Sequence, residues 1–276
     1  MPSAASRGSV SSGLMAMLAA AMIALSACSK PQINYQEASV DVLYEDALAE
    51  LNDKQWTTAA LKFAEVERQH PYSAWARRAM LMSAYAYYMG NKYSDSILAT
   101  ERFVGLHPGN KDVPYAYYLK AICYYEQITD VGRDQKMTED ALNSLEELVR
   151  RFPTTEYARD ARLKIDMTKD HLAGKELAIG RYYERRREYV AAINRFRNVI
   201  VNYQTTSHVP EALHRLTETY LAMGVKKEAQ TAAAVLGYNF PGSEWYQDSY
   251  ALLTEAHLEP VEDKKSWISR AWTAVF

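Results

Sequence analysis

Residues 56–71 read Trp56-x-x-Ala59-x-x-x-Phe63-x-x-Val66 and close at His70-Pro71, and this pattern decides the fold because it occurs five times. Residues three and four positions apart share one face of a helix, so each copy predicts a helix with one packed face. A proline, which cannot continue a helix, follows four of the copies. The other copies are Tyr93-x-x-Ser96-x-x-x-Thr100-x-x-Phe103, Thr138-x-x-Ala141-x-x-x-Leu145-x-x-Leu148, Tyr189-x-x-Ala192-x-x-x-Phe196-x-x-Val199 and Lys226-x-x-Ala229-x-x-x-Ala233-x-x-Leu236, which close at His107-Pro108, Phe152-Pro153, Tyr203-Gln204 and Phe240-Pro241.

A further helical segment precedes each copy and carries one small or short residue. Small residues let the two backbones of a helical hairpin approach closely, and this arrangement is typical of the tetratricopeptide repeat (TPR), whose period is about 34 residues. The anchors at 59, 96, 141, 192 and 229 lie 37, 45, 51 and 37 residues apart, so we expect an inserted loop at 130–136 and a lengthened helix at 157–172. The sequence predicts an all-α, TPR-type α-solenoid of five helical hairpins with a C-terminal capping helix. The small residues are Ala47, Ala84, Ala121, Gly180 and Thr217.

The amino terminus has the order of a secretory signal peptide. Arg7 precedes an apolar run at 14–25, which is too short as a helix to span a membrane core of about 30 Å. The tetrad Leu25-Ser26-Ala27-Cys28 is similar to the bacterial lipobox, which implies diacylglycerol on the Cys28 sulfur and an acyl chain on its new amine. An ordinary signal peptide with an incidental cysteine is the alternative. Serine at position 29, where an inner-membrane retention signal carries Asp, favours anchoring on the periplasmic side of the outer membrane.

The predicted chain organisation has five parts. Residues 1–27 are a cleaved signal peptide, 28–39 are the lipidated cysteine and a tether, and 40–156 hold the first three repeats. Residues 157–254 hold the last two repeats and a cap, and 255–276 form a tail with an amphipathic helix. This helix is expected to cap the solenoid, although docking onto a partner or lying on the membrane surface are alternatives. Its apolar stripe consists of Trp267, Ile268, Ala271, Trp272, Val275 and Phe276.

Composition and motif content exclude several classes of function. The net charge of −2 gives no overall attraction to nucleic acid, and the two cysteines do not suggest a disulfide framework. No metalloprotease, hydrolase or phosphate-loop motif occurs, and the histidines at 70, 107, 171, 208, 214 and 257 are scattered. We therefore expect a protein that is not an enzyme, with no metal site and no cofactor beyond the covalent lipid. A cell-wall-remodelling enzyme that uses repeats as a handle would lack candidate catalytic residues.

Tyrosines recur on the first helices of the first three repeats, which line the concave side of a TPR solenoid. Tyrosine combines broad apolar area with one polar tip and is common in binding surfaces. We expect a groove that holds an extended peptide, although packing between adjacent helices is the alternative for each ring. The predicted groove residues are Tyr44, Tyr85, Tyr88, Tyr115, Tyr118 and Tyr125, flanked by Leu48, Leu81 and Ile122.

Arginines are concentrated in the fourth repeat, where they are opposed only by Glu184 and Glu188. A solvated helix end explains such a run, as does a docking surface for an acidic or carbonyl-rich partner, because the guanidinium fork makes directional bonds. Both interpretations stay open on the residues alone. The arginines are Arg181, Arg185, Arg186, Arg187, Arg195 and Arg197.

Local sequence text resembles the BamD family of the outer-membrane β-barrel assembly machinery. The similarity lies at 70–89, which includes Ala-Tyr-Ala-Tyr-Tyr, at Arg102-Phe103 before His107-Pro108, and at Tyr182-Tyr183-Glu184-Arg185 before Asn194-Arg195. It covers residues 25–245 in matching order and does not include the tail beyond about 255.

This resemblance implies a non-enzymatic adaptor. Its amino-terminal tyrosine groove would receive the carboxy-terminal signal of nascent outer-membrane β-barrel proteins. Its carboxy-terminal repeats, with Arg185, Arg187 and Arg195, would dock the last POTRA domain of a BamA-like subunit. Other BAM lipoproteins would bind elsewhere. A pilotin, a TPR lipoprotein that assists secretin or pilus assembly, is the main alternative, although its repeat spacing is usually more regular.

Overall fold

The computed structural model describes residues 36–273, among which there are twelve helices and no strand. The predicted signal peptide, the predicted lipidation residue Cys28, and Val275 and Phe276 of the tail lie outside the described residues. The chain divides into two compact units, residues 1–79 and 80–276. The helices are α1 Val40–Asn52, α2 Trp56–Gln69, α3 Ala74–Met89, α4 Tyr93–Leu106, α5 Val113–Tyr125, α6 Lys136–Arg151, α7 Glu156–Arg185, α8 Tyr189–Asn202, α9 Val209–Ala222, α10 Lys226–Asn239, α11 Glu244–Glu255 and α12 Trp267–Thr273.

The described part of the first unit is built on one helical hairpin, α1 and α2. Ala47 on α1 and Ala59 on α2 are fully buried, which is the close helix crossing that the small residues predict. Phe63 fills the space beside them, and its ring meets the ring of Tyr44 edge-on at 5.3 Å. His70, at the end of α2, contacts the segment before α1, since its Nε2 lies 2.8 Å from the Ala38 carbonyl oxygen.

The second unit is a series of hairpins, and from α4 to α11 each helix packs against the next along the chain. The first helices of successive hairpins also lie side by side, because α5 contacts α7 and α9 contacts α11. In the pair formed by α3 and α4, the buried Ser96 hydroxyl donates to the Ala84 carbonyl oxygen over 2.8 Å. The predicted fold class, a TPR-type α-solenoid, is confirmed.

The two departures from the usual repeat length occur where the spacing predicts them. The loop before α6 is held by the buried side chain of Gln135, whose amide donates to the carbonyl of Arg133 over 2.9 Å. Helix α7 has 30 residues and is capped at its amino terminus by Thr155, whose hydroxyl accepts the amide hydrogen of Ala158. The amino-terminal part of this long helix contacts α5, where Tyr118 bonds Asp160.

The tail helix α12 packs against α8 and α10, which are the second helices of the last two hairpins. Ile268 and Trp272 are buried there, and Trp272 meets the ring of Phe240 edge-on at 5.9 Å. The Gln204 side chain donates to the Ala271 carbonyl over 2.8 Å. The described part of the predicted stripe is therefore occupied by the chain's own repeats, as a capping helix requires. No helix between residues 36 and 273 has both the length and the apolar character to cross a membrane.

Candidate functional site

Five of the six predicted groove tyrosines come together in the second unit. They lie on the end of α3 and along α5, and all five are half-buried. Tyr85 and Tyr88 are close enough to Tyr115 to influence its ionisation, and Tyr88 does the same for Tyr118. We call this set the tyrosine cluster: Tyr85, Tyr88, Tyr115, Tyr118 and Tyr125.

Helix α7 completes the wall beside the cluster. The ring of Tyr157 lies 5.7 Å from that of Tyr115 and 5.3 Å from that of Tyr118, with tilted planes. Further along α7, Met167 Sδ lies 3.6 Å from the Tyr125 hydroxyl, and Lys164 lies over the Tyr125 ring at 5.3 Å. The side chain of Met167 is itself 62% exposed, so apolar surface continues beyond the rings.

The phenol groups of the cluster fall into two sets. The hydroxyls of Tyr118 and Tyr125 are bonded within the chain, to Asp160 Oδ2 at 2.7 Å and to the sulfur of Met167. Those of Tyr85, Tyr88 and Tyr115 make no hydrogen bond to any residue in 36–273. Three phenol groups are therefore free to bond another polypeptide.

Burial controls the ionisation of this region. It raises the pKa of the Tyr115 phenol far above its ordinary value, and the neighbouring phenols of Tyr85 and Tyr157 add to the rise. Burial likewise raises the pKa of the Cys123 thiol to about 11. At neutral pH the Tyr115 phenol therefore keeps its proton, and a neutral O–H group can both donate and accept hydrogen bonds.

Tyr44, the sixth predicted groove residue, belongs to the core of the first unit. Its side chain is only 3% exposed, between the rings of Phe63 and Trp75 and under the guanidinium of Arg78. Its hydroxyl is buried without a hydrogen-bond partner. The periodicity places Tyr44 on the right helix face, but the ring of Trp75, 4.7 Å away, covers it. It is therefore left out of the tyrosine cluster.

The arginines of the fourth hairpin have different surroundings. Arg181 pairs with Glu211 at 2.5 Å, and Arg186 pairs with Glu188 at 2.8 Å. Arg185 and Arg187 are exposed and pair with no carboxylate in the described part of the chain. Arg187 lies in the turn after α7 with φ of 60°, a left-handed conformation.

Arg195 lies in a surface groove of about 450 Å³ between α7 and α8. Its guanidinium contacts both carboxylate oxygens of Glu176, at 3.3 and 3.2 Å. Asn194, Asn198 and Asn202 follow one another along the same wall, one helical turn apart. Neither Arg185 nor Arg187 lines this groove, so the structure does not bring the three predicted docking arginines into one pocket. We call this groove between α7 and α8 the Arg195 groove.

Sequence reasoning missed the part of the site that α7 supplies. Tyr157, Asp160, Lys164 and Met167 recur at helical spacing and share one face of α7. The sequence predicted that this helix is long, but helical periodicity does not show that this face of α7 contacts α5. Within residues 36–273 no group of His, Cys, Asp and Glu side chains is arranged to hold a metal ion.

The family model described as an outer membrane lipoprotein, YfiO, matches residues 36–236. The outer membrane protein assembly factor BamD of Caulobacter vibrioides is 53% identical over 260 residues, which cover 93% of this chain and 85% of that protein. The chain belongs to the BamD family. BamD of Rickettsia prowazekii is 42% identical over 240 residues, covering 87% of this chain and 96% of its own length.

Membership of the BamD family confirms the resemblance found in the sequence. The matched range contains the whole tyrosine cluster and the Arg195 groove, but it ends before α12. Among solved structures, the chain aligns with Pseudomonas aeruginosa PilF at 17% identity, covering 77% of this chain and 97% of that one. The TM-score of 0.31 is too low for that likeness to carry any argument.

Proposed function

We propose that the protein is a lipid-anchored, non-enzymatic adaptor that assists the assembly of outer membrane proteins. The relatives from Caulobacter vibrioides and Rickettsia prowazekii are named assembly factors of such proteins, and the family is described as outer membrane lipoproteins. In this proposal Cys28 carries the acyl chains. One chain binds a membrane only reversibly, whereas several chains together hold a protein on it. The protein would face the periplasm from the outer membrane.

The tyrosine cluster is the proposed binding surface for the carboxy-terminal signal of a nascent β-barrel protein. The observation that carries this assignment is the set of three phenols with no partner in the described chain, Tyr85, Tyr88 and Tyr115. An extended strand offers free main-chain amides, which these hydroxyls can bond. Alternating aromatic side chains of such a strand fit against half-buried rings and the exposed side chains of Leu163 and Met167.

The Arg195 groove is the proposed docking site for a BamA-like POTRA domain. Arg195 uses one terminal nitrogen for Glu176, so the rest of its fork is available to a partner. Exposed Arg185 and Arg187 lie at the adjacent end of α7 and would contribute to the encounter through their charge. Other BAM lipoproteins would bind the remaining surface.

Site-specific crosslinking tests the substrate site. The Tyr85→Ala and Tyr88→Ala double variant should reduce crosslinking to peptides from barrel carboxy termini, because it removes two rings and two free hydroxyls. A matched control replaces Tyr238 and Tyr250, which are exposed and lie on α10 and α11, with alanine. Equal crosslinking by both double variants would move the substrate site away from the cluster.

Purification of the lipoprotein from solubilised outer membranes tests the adaptor role itself. Recovery of a BamA-like protein is expected, and its loss in Arg195→Ala would support docking at the groove. Recovery of a secretin without a BamA-like protein would overturn the adaptor assignment in favour of the pilotin alternative.

A further inference from the structure

The tail helix holds one arginine of the Arg195 groove in place. The guanidinium of Arg197, on α8, lies 4.9 Å from the centroid of the Trp267 ring. Trp267 is fixed in turn, since its indole Nε1–H donates to the Tyr220 hydroxyl over 2.9 Å. Tyr220 is buried in α9. A chain of contacts therefore runs from the core of the last hairpins through the tail to an exposed arginine.

The segment that leads into α12 is tied down at several points. The Ser266 hydroxyl donates to Glu228, and the amide of Asp263 donates to the buried Thr231 hydroxyl over 3.2 Å. Such contacts fix the position of the Trp267 backbone. The indole is thereby a rigid platform, and stacking on an indole restricts the rotamers of an arginine whose charged head stays in solvent.

The charges of the groove are unbalanced. Arg195 and Arg197 both line it, while Glu176 is the one carboxylate among its lining residues. Glu176 is already engaged by Arg195. No carboxylate in the described range 36–273 pairs with Arg197, whose guanidinium lies over the ring of Trp267. A guanidinium held this way keeps its N–H edge free, and that edge matches a carboxylate in geometry and charge.

We propose that Arg197, positioned by Trp267, is a second carboxylate-binding group of the Arg195 groove, which makes the tail 258–273 part of the docking surface for an acidic segment of a protein partner. This inference rests on the proposed docking function of the groove. It adds a residue and a segment that lie outside the predicted docking set, and the segment lies beyond the residues matched by the family model.

Binding of the periplasmic POTRA region of the organism's own BamA-like protein to the full lipoprotein in detergent tests this proposal. Arg197→Gln should weaken binding by about five- to tenfold, as expected for loss of a charge-assisted bond. Its effect should shrink at high salt, because exposed charges are screened. The matched control is Arg150→Gln, which removes the same charge from an exposed position on α6, outside the groove and the tail, and should leave binding unchanged.

The Trp267 variants separate positioning from folding. Trp267→Leu should weaken binding as much as Arg197→Gln, while Trp267→Phe, which retains an aromatic face, should restore most of it. Because both changes act through one contact, the double variant with Arg197→Gln should lose no more than the single variant. Circular dichroism and the thermal midpoint report whether each variant folds. Additive losses, or a loss in Trp267→Phe equal to that in Trp267→Leu, would overturn the positioning role.

The outcomes also distinguish this inference from the docking function on which it depends. If Arg195→Ala weakens binding and neither Arg197→Gln nor Trp267→Leu does, the groove docks the partner without the tail and the inference fails alone. If none of the three changes affects binding, the partner docks elsewhere and both proposals fail. Weakening by all three supports both.

Discussion

The Tyr118 hydroxyl donates a hydrogen bond to Asp160 Oδ2 over 2.7 Å and so connects α5 with α7 across successive hairpins. Lys164 approaches the same carboxylate at 3.3 Å, and it also covers the ring of Tyr125. Tyr118 thus has a structural role, whereas the unbonded hydroxyls of Tyr85, Tyr88 and Tyr115 are available to a ligand. Variants that each remove one hydroxyl can separate the structural role from the ligand-binding role.

Tyr118→Phe should reduce the free energy of unfolding by about 1 kcal/mol, the usual net contribution of one hydrogen bond. It should leave peptide crosslinking unchanged, because the hydroxyl it removes is already engaged within the chain. Urea unfolding followed by circular dichroism measures the first quantity. Tyr125→Phe is the control, since its hydroxyl reaches only a thioether sulfur at 3.6 Å and should cost less. A crosslinking loss in Tyr118→Phe would assign this hydroxyl to the ligand.

Tyr44 gives the opposite expectation in the first unit. Its hydroxyl is buried without a partner, so Tyr44→Phe removes an uncompensated polar group and should be neutral or stabilising. Tyr44→Ala removes the ring that packs between Phe63 and Trp75 and should cost about 3–5 kcal/mol. Urea midpoints of the two variants test the assignment of Tyr44 to the core. A Phe variant as unstable as the Ala variant would show that the hydroxyl carries the stabilisation.

The hairpin crossings were predictable because they depend on residue size alone. The small residues at the crossings that are fully buried include Ala47, Ala84, Ala121 and Thr217. The anchor Ser96 is also fully buried, and its hydroxyl is satisfied by a backbone carbonyl. A small residue at a fixed helical position has one physical reason to be there, so the pattern could be interpreted without coordinates.

The functional surface was less predictable because it depends on which side chains cover one another. Helical periodicity placed six tyrosines on one kind of face, but the ring of Trp75 removes Tyr44 from that surface. Periodicity also could not place Tyr157 beside Tyr118, since that contact arises from the register between α5 and α7. Likewise, the sequence showed a run of arginines but not that Arg197 lies against a ring seventy residues further along the chain.

Gly180 tests the crossing of α7 and α8. A Cβ atom at this position would lie 2.3 Å from Cε1 of Phe196, a ring that is fully buried and cannot move aside. Gly180→Ala should therefore destabilise the protein by about 1–3 kcal/mol or more, despite the better helix propensity of alanine. The matched control is Gly105→Ala on α4, where a Cβ meets nothing within 4 Å and should stabilise by up to about 1 kcal/mol. Equal effects of the two changes on the urea midpoint would contradict the close crossing.

His214 makes stability depend on pH. It is 5% exposed, with Nδ1 2.9 Å from the Ser249 hydroxyl and Nε2 3.3 Å from Glu218. Burial lowers the pKa of His214 below its usual value; Arg215 acts in the same direction, while Glu218, Asp248 and Glu211 oppose it. In the folded state the ring therefore stays neutral at a pH where the unfolded chain binds a proton.

The sign of the pH effect follows from proton counting. Below about pH 6.5 an unfolded histidine is protonated. Because the folded pKa is depressed, the unfolded state then binds more protons, and the stability present above that pH is lost as the pH falls toward the folded pKa. Glu184 acts in the opposite sense, since burial raises its pKa, but its contribution cancels when the parent protein is compared with a His214 variant.

The measurement is the free energy of unfolding in urea at several values between pH 8 and 5.5. Between pH 6.5 and 5.5 the parent should lose up to about 1 kcal/mol more than His214→Gln, the linkage expected of one histidine. His257→Asn is the control, because it replaces an exposed histidine at a left-handed position that asparagine accommodates. Parallel pH curves for the parent and His214→Gln would show that acidification does not act through this buried ring.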